Sequence, residues 1–233
     1  MAASELCYLR PKVIANFAIT WDGRISTWNR TPANFSSPAD KRRLLEIRAE
    51  GDAVLASATT VVADNMTMGL PDPALRAVRR ARGQGEYPLR VLVSGSGAIN
   101  PELRIFSETV SPVVVFSTER MPADVKVGLE GRATLRLDRG PDVDLRAMLH
   151  VLKEEFGVQS VVCEGGGLLF NAMLRSNLVD EVCLTLCPRV FGGKRGVTLT
   201  GTAAEWLPFA VPVRLVRFEI IGAECFTRWS LRV

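Results

Sequence analysis

The hydrophobic positions of this chain follow two periods in turn, and their order predicts an α/β fold. Short β-branched runs bounded by turn residues predict buried strands. Segments with apolar residues at helical spacing predict the helices between them. One helix is expected to start after the N-cap Ser37 and to close at Gly51, and a second covers residues 144–156. The predicted strands cover residues 13–20, 52–57, 90–94, 112–117, 133–137 and 161–163.

The C-terminal part of the chain has a different pattern. Apolar and polar residues alternate around Phe218 and again around Trp229, and a Gly222-Ala223 turn separates the two runs. This pattern predicts an antiparallel hairpin. Upstream, the alternation of strands and helices predicts a mostly parallel sheet covered on both faces, with the hairpin at one edge. We expect one domain over residues 1–233, because neither a repeat nor a linker interrupts the pattern.

Residues 65–88 have the weakest periodic pattern, with several prolines and glycines, and we expect them to be the least structured stretch. Arginines are concentrated there. A solvated basic face is the favoured interpretation of the cluster, and phosphate steering is the alternative. The cluster consists of Arg76, Arg79, Arg80 and Arg82.

One stretch combines a strand, a glycine run and a helix. Residues 161–163 form the strand pattern, Glu164 ends it, and Gly165-Gly166-Gly167 precede an amphipathic segment that begins at Leu168. This order is typical of proteins that bind a phosphate at a helix N-terminus, where free N–H groups and the helix dipole favour an anion. A carboxylate at the end of a buried strand is costly unless it has a use, so Glu164 is a candidate functional residue. The alternative is a tight turn without a ligand.

Composition and charge narrow the function. The net charge of +4 suits an anionic small ligand, and no Lys/Arg stripe with interleaved aromatics indicates a nucleic-acid partner. The chain shows no signal peptide and no apolar run long enough to span a membrane, so we expect a cytoplasmic protein with no membrane partner. Five scattered cysteines, with Cys163 and Cys183 in strand patterns, indicate free buried thiols. His150 is the single histidine, which argues against a His-rich zinc site and against a His-based nucleophile system; we expect no metal.

Three blocks of the sequence resemble the riboflavin-biosynthesis pyrimidine reductases, relatives of dihydrofolate reductase. The first is VIANFAITWDGRI at residues 13–25, and the second lies within residues 47–64. The third combines EGGG at 164–167 with LVDEV at 178–182 and PRVFGG at 188–193. The blocks occur in family order over most of the chain. Asn16 stands where the fused deaminase-reductases usually carry lysine, and no zinc-deaminase signature is present, so the chain resembles the stand-alone archaeal and fungal type.

The resemblance implies a dihydrofolate reductase-like three-layer fold, a homodimer, and NADPH as the cofactor. The implied reaction is hydride transfer to C1′ of a ribosylaminopyrimidine 5′-phosphate, which opens the ribose to a ribityl chain. Asn16, Arg48 and Glu164 would face the substrate, with Asn16 and Glu164 as the catalytic pair. Orientation of the ribose hydroxyls is the favoured role of Glu164, and transfer of a proton towards the amine is the alternative. Ile19 would lie against the nicotinamide. The other residues expected to border the cofactor are Thr60, Asp64, Ser94, Gly166, Gly167, Leu168 and Leu169.

Two positions differ from the family pattern and keep other functions open. After Asp64 the family usually continues with a run that includes an arginine, whereas residues 65–70 here read NMTMGL; Leu168 also replaces a common Ser or Thr. A pterin-type reductase that presents Asp40 to the heterocycle is therefore a second interpretation, and a non-catalytic dinucleotide-binding protein is a third. The sequence leaves open whether the pyrimidine is diamino or deaminated, and whether NADPH is preferred to NADH.

Overall fold

A computed structural model describes residues 10–27, 35–193, 196–201, 207 and 210–232 of the chain. Its nine strands are β1 (Lys12–Thr20), β2 (Ala53–Ser57), β3 (Leu89–Ser94), β4 (Val113–Thr118), β5 (Thr134–Asp138), β6 (Ser160–Cys163), β7 (Glu181–Cys187), β8 (Arg214–Ile221) and β9 (Glu224–Ser230). They form one sheet in the order β5-β4-β3-β2-β6-β1-β7-β9-β8.

The sheet is parallel from β5 to β7 and antiparallel at its other end. β1, the first strand, pairs in parallel with both β6 and β7. The C-terminal ends of the parallel strands therefore meet at one edge, which we call the C-terminal edge. β9 pairs antiparallel with both β7 and β8. The predicted mostly parallel sheet and its C-terminal hairpin are confirmed.

Capping residues fix where the predicted helices begin. Ser37 accepts hydrogen bonds from the N–H groups of Ala39 and Asp40, and Asp144 caps a later helix in the same way. The helices of the described residues are α1 (Pro38–Glu50), α2 (Ala58–Asp64), α3 (Pro73–Ala81), α4 (Arg104–Ser107), α5 (Ala123–Leu129), α6 (Leu145–Glu154) and α7 (Gly167–Arg175).

Helices cover both faces of the sheet, which gives the predicted three layers. On one face, side chains of α6 and α7 such as Leu149 and Phe170 pack on alternate residues of β1, including Phe17. On the other face, Ile47 of α1 packs on Ile14, and α2, α4 and α5 cover the strands towards β5. Successive residues of β1 therefore point to opposite layers. We call these the α7 face and the α1 face.

The weakly patterned stretch is more ordered than expected. Asp72 caps α3 by accepting from the Ala74 N–H at 2.8 Å, and Pro73 occupies the first helical position. The prediction of a solvated basic face is wrong for Arg79, which is 1% exposed. Its guanidinium donates to the Gly85 carbonyl at 2.9 Å and also to the carbonyl of Gly51, so backbone acceptors replace water.

Two further expectations concern cysteines and membranes. Cys163, Cys183 and Cys187 are buried free thiols, as predicted for the first two, and Cys225 is half-buried. Burial raises the pKa of Cys163 to about 12 and that of Cys183 to about 11. Within the described part of the chain, no helix is long and apolar enough to cross a membrane.

Candidate active site

The strand register places the two predicted catalytic residues side by side. Ala15 of β1 pairs with Cys163 of β6, so the next residues, Asn16 and Glu164, are neighbours across the two strands. Asn16 also pairs with Cys183 of β7. Asn16 and Glu164 alternate with core residues of the α7 face, and both lie on the α1 face. Asn16 lines a cleft between α1 and the sheet, together with Arg43, Ile47, Cys183, Thr185 and Phe226.

Arg48, the third predicted substrate residue, contacts Glu164 directly. It lies in the last turn of α1. Its Nε donates to Glu164 Oε1 at 2.6 Å, and its Nη2 donates to Oε2 at 2.6 Å. Arg48 is 7% exposed and Glu164 is 9% exposed. Burial alone would lower the pKa of Arg48, and the Glu164 carboxylate raises it instead. The Arg48 guanidinium therefore binds the Glu164 carboxylate, whereas the resemblance implied that it would face the substrate.

The loop after α2 completes the arginine site. Arg48 Nη1 donates to the Gly69 carbonyl at 2.9 Å. Met68, just before, has a left-handed backbone (φ +56°) although its side chain is fully buried. Such a conformation is rare for a residue of this size and is kept where the surrounding structure requires it. The segment that lacks the family's arginine thus supplies a carbonyl that orients Arg48.

The glycine run meets α2 at the C-terminal edge. The Gly166 N–H donates to Thr60 Oγ1 at 2.8 Å, and Thr60 Oγ1 lies 2.9 Å from Ser57 Oγ. Gly166 is the N-cap of α7, and no described side chain caps that helix. The start of α7 therefore keeps backbone donors for a ligand, as an anion-binding helix N-terminus requires.

Packing also requires glycine at positions 165 and 167, and it leaves little room beside Gly166. A Cβ on Gly165 would lie 3.2 Å from the Ser57 nitrogen, and one on Gly167 would lie 2.7 Å from the Thr198 carbonyl oxygen. A Cβ on Gly166 would lie 3.0 Å from Thr60 Oγ1. The sequence predicts close approach of a ligand at Gly166, and contact with Thr60 is a second reason for a small residue there that only the structure shows.

The other residues expected at the cofactor are spread along the same edge. Ser94 ends β3, next to β2 and Ser57, and its Oγ accepts from the Gly97 N–H at 3.1 Å. Asp64 is exposed at the last position of α2. Leu168 is 59% exposed, whereas Leu169 is 7% exposed and packs in the core.

Ile19 lies on the opposite face from Asn16. It alternates with Phe17, whose ring packs on Phe170 of α7 with centroids 4.9 Å apart. Ile19 is thus on the face from which α7 starts, next to Gly165-Gly166-Gly167 and Thr60, which we call the glycine corner. A ligand that contacts both Ile19 and Asn16 must pass over the C-terminal edge of the sheet.

Asp22 is a residue of this edge that the sequence indicated only as part of a turn. Its carboxylate accepts from the Thr20 hydroxyl at 2.6 Å, from the Phe191 N–H at 3.1 Å and from the Gly192 N–H at 2.7 Å. These donors, the Thr20 hydroxyl first, lower the pKa of Asp22 to about 2. A carboxylate in an Asp-Gly turn is common, and its partners lie far away in the sequence, so no local signal identifies this contact.

Comparison with known proteins places the chain in a family. The sequence model of the RibD C-terminal domain matches residues 11–225. The chain belongs to the RibD C-terminal domain family. Within it, the 2,5-diamino-6-ribosylamino-4(3H)-pyrimidinone 5′-phosphate reductase of Methanothermobacter thermautotrophicus is 31% identical over 225 residues, which cover 96% of this chain and 100% of the relative. The reductase of the same name from Archaeoglobus fulgidus is 30% identical, covering 92% and 95% of the two chains.

Two solved structures have the same fold. A pyrimidine reductase-like protein from Corynebacterium diphtheriae superposes with a TM-score of 0.79 at 17% identity, over 96% of this chain and 93% of the other. The riboflavin biosynthesis reductase Rib7 of Saccharomyces cerevisiae gives a TM-score of 0.70 at 20% identity, over 95% and 90% of the two chains. The arrangement of the sheet is therefore shared beyond clear sequence similarity.

Proposed function

We propose that this oxidoreductase reduces 2,5-diamino-6-ribosylamino-4(3H)-pyrimidinone 5′-phosphate in the cytoplasm, with NADPH as the cofactor. Relatives that carry this name are 25–31% identical to the chain, and three of them match 92–96% of it. The observation that carries the proposal is the adjacency of Asn16 and Glu164 next to the glycine corner. That arrangement supports the proposal because a pair that can orient the substrate lies beside a helix N-terminus that can bind a dinucleotide phosphate.

The residues of the C-terminal edge fit a dinucleotide. The N-terminus of α7 offers backbone donors for the pyrophosphate, and Gly166 gives it close approach. Thr60, in the first turn of α2 just after β2, and Ser94, at the end of β3, offer hydroxyls along the same edge. NADPH, when bound there, supplies the hydride of the reaction.

The protein side chains orient the sugar. A new C–H bond forms at C1′ while the bond from C1′ to the ring oxygen breaks, and that oxygen gains a proton. The Glu164 carboxylate accepts hydrogen bonds from ribose hydroxyls, and the Asn16 amide beside it can donate as well as accept. Arg48 acts through Glu164 as a positioning residue, because its fork is occupied by that carboxylate.

Activity against a short series of substrates tests this function. We expect NADPH oxidation with the diamino pyrimidine phosphate, less with its deaminated form, and none with dihydrofolate. NADH should support a lower rate. Turnover of dihydrofolate alone would contradict the proposal in favour of a pterin reductase, and failure of every substrate would favour a non-catalytic dinucleotide-binding protein.

We further infer that two copies associate through β8. This edge strand exposes Leu215, Phe218 and Ile220 by 46%, 55% and 61% on the face away from α1. A long edge strand with exposed apolar residues is normally covered in a native protein. In β8, Arg217 and Glu219 alternate with the apolar residues, and their opposite charges suit antiparallel pairing with a second copy. Light scattering should give a dimer for the wild type and a folded monomer for Phe218→Glu; a wild-type monomer would contradict the inference.

A further inference from the structure

Two loops leave the sheet side by side at the C-terminal edge. Thr20 of β1 pairs with Cys187 of β7 at the ends of these parallel strands. The chain continues from β1 into the turn that contains Asp22, and from β7 into residues 188–193. The Trp21 N–H donates to the Arg189 carbonyl at 2.8 Å, so the loops are in contact from their first residues.

The Asp22 carboxylate fastens the second loop to the first. One oxygen accepts from the Phe191 N–H and the other from the Gly192 N–H, at 3.1 and 2.7 Å. Gly192 and Gly193 have left-handed backbones (φ +66° and +81°), which turn successive peptide groups and let neighbouring N–H groups converge on one anion. The contact is charge-assisted and joins residues 169 and 170 positions apart.

Arg24 extends this attachment along the second loop. Its Nη2 donates to the Gly193 carbonyl at 2.7 Å, and its Nη1 donates to the Gly196 carbonyl at 3.0 Å. The Ile25 N–H then donates to the Val197 carbonyl at 2.9 Å. The two loops are thus fixed to each other over most of their described length.

The two loops, one after β1 and one after β7, carry exposed apolar side chains. Trp21 is 63% exposed, Val190 71% and Phe191 38%. The Phe191 ring also packs edge-to-face on Phe35, just before α1, with centroids 5.3 Å apart. The group therefore reaches the α1 face, and its base at Thr20 is four residues, roughly 13 Å, along β1 from Asn16.

We propose that Asp22 is a positioning residue of the reductase site, an inference that rests on the proposed function. Its carboxylate holds the two loops as one unit, so that Trp21, Val190 and Phe191 form an apolar wall over the reacting sugar and the nicotinamide. Such a wall excludes water and keeps the reactants in contact. A preformed wall avoids the entropy cost of ordering two separate loops at each binding event.

Asp52 offers a matched control at the opposite edge of the sheet. Its carboxylate also accepts from two successive backbone N–H groups, those of Gln159 and Ser160, at 2.9 and 3.0 Å. It accepts in addition from the Ser160 hydroxyl at 3.1 Å. Asp52→Asn therefore removes the same kind of interaction at the N-terminal ends of β2 and β6. These lie away from Thr20 and Cys187, where β1 and β7 end.

The test compares the wild type with Asp22→Asn and Asp52→Asn. We expect both variants to lose thermal stability, and only Asp22→Asn to raise the KM for NADPH and for the pyrimidine by about tenfold, the scale of a charge-assisted hydrogen bond. Amide exchange at Phe191 and Gly192 should accelerate in Asp22→Asn alone, and NADPH titration without substrate should show the same loss of affinity.

The outcomes separate this inference from the proposed function. Equal KM values and NADPH affinities in Asp22→Asn and Asp52→Asn would overturn the positioning role, even with an active wild type. A wild type inactive on the pyrimidine phosphate would overturn the proposed function. Amide exchange and NADPH titration would still show whether Asp22 holds the two loops together and positions them for the cofactor. If Asp22→Asn does not fold, Thr20→Val removes the hydroxyl that donates to Asp22 and accepts from the Arg24 N–H, while the Asp22 carboxylate stays. This variant should show a smaller rise in the same KM values; unchanged values would overturn the inference.

Discussion

Arg48 and Glu164 form a bidentate ion pair between the last turn of α1 and the end of β6, with both N···O distances at 2.6 Å. The pair is buried, so each charge depends on the other. It fixes the carboxylate next to Asn16 with its oxygens in defined positions. We therefore propose that Glu164 contacts the substrate and that Arg48 orients Glu164.

Removal of Arg48 should affect turnover as well as stability. Arg48→Ala leaves a buried carboxylate without a partner, which costs roughly 3–5 kcal/mol of folding free energy. Because Glu164 loses its orientation, we expect kcat to fall at least about tenfold. Arg90→Ala is the control, since Arg90 is 2% exposed and bonds backbone carbonyls, among them that of Ile105. If Arg90→Ala lowers kcat as much as Arg48→Ala, the positioning role is wrong.

Replacement of Glu164 separates substrate from cofactor. Glu164→Gln keeps the shape but loses the charge, so we expect at least about a tenfold drop in turnover with the pyrimidine. NADPH affinity, measured by titration calorimetry, should stay within about twofold because the glycine corner is intact. A similar loss of NADPH affinity in Glu164→Gln would show that Glu164 has a structural role and does not act on the substrate alone.

The glycines should differ in what they support. Gly167→Ala places a Cβ 2.7 Å from the Thr198 carbonyl, and backbone cannot move aside cheaply, so the melting temperature should fall. Gly166→Val should fold, because its nearest neighbour is the Thr60 hydroxyl, yet lose NADPH binding. Calorimetric titration and thermal unfolding of both variants check this. Unchanged NADPH affinity in Gly166→Val would contradict the phosphate site.

The stabilisation that the Asp22 carboxylate gives to the two loops should be lost in acid. Its donors lower the pKa of Asp22 from 3.8 to about 2. The folded pKa is below the unfolded one, so this stabilisation is complete above pH 3.8 and is lost as the pH falls through about 2. The difference in melting temperature between the wild type and Asp22→Asn should therefore be constant at neutral pH and shrink below pH 3.8. A constant difference down to pH 2 would show that the stabilisation does not depend on this charge.

The local parts of the fold were predictable and the long-range contacts were not. Ser37, with proline after it and Gly51 at the other end, marked α1 correctly, because caps act within a few residues. α3 was missed because the prolines and glycines around it resemble a loop. The partner of Arg48 lies 116 residues away, and that of Asp22 even farther, so only the folded sheet brings them together.

The predicted site residues illustrate the same limit. The resemblance identified Asn16, Arg48 and Glu164, and the register of β1 with β6 makes two of them neighbours. Nothing local in the sequence shows that Arg48 points at Glu164, since that depends on how α1 crosses the sheet. The burial of Arg79 likewise follows from carbonyl groups at the end of α1, which periodicity does not reveal.

The destination of the hydride is the most direct test of the account. The purified chain should be incubated with the diamino pyrimidine phosphate and NADPH that carries deuterium at the transferred position of the nicotinamide. We expect a ribityl product with one deuterium at C1′, detected by mass spectrometry and NMR. A product with deuterium on the pyrimidine ring, or no transfer at all, would contradict it.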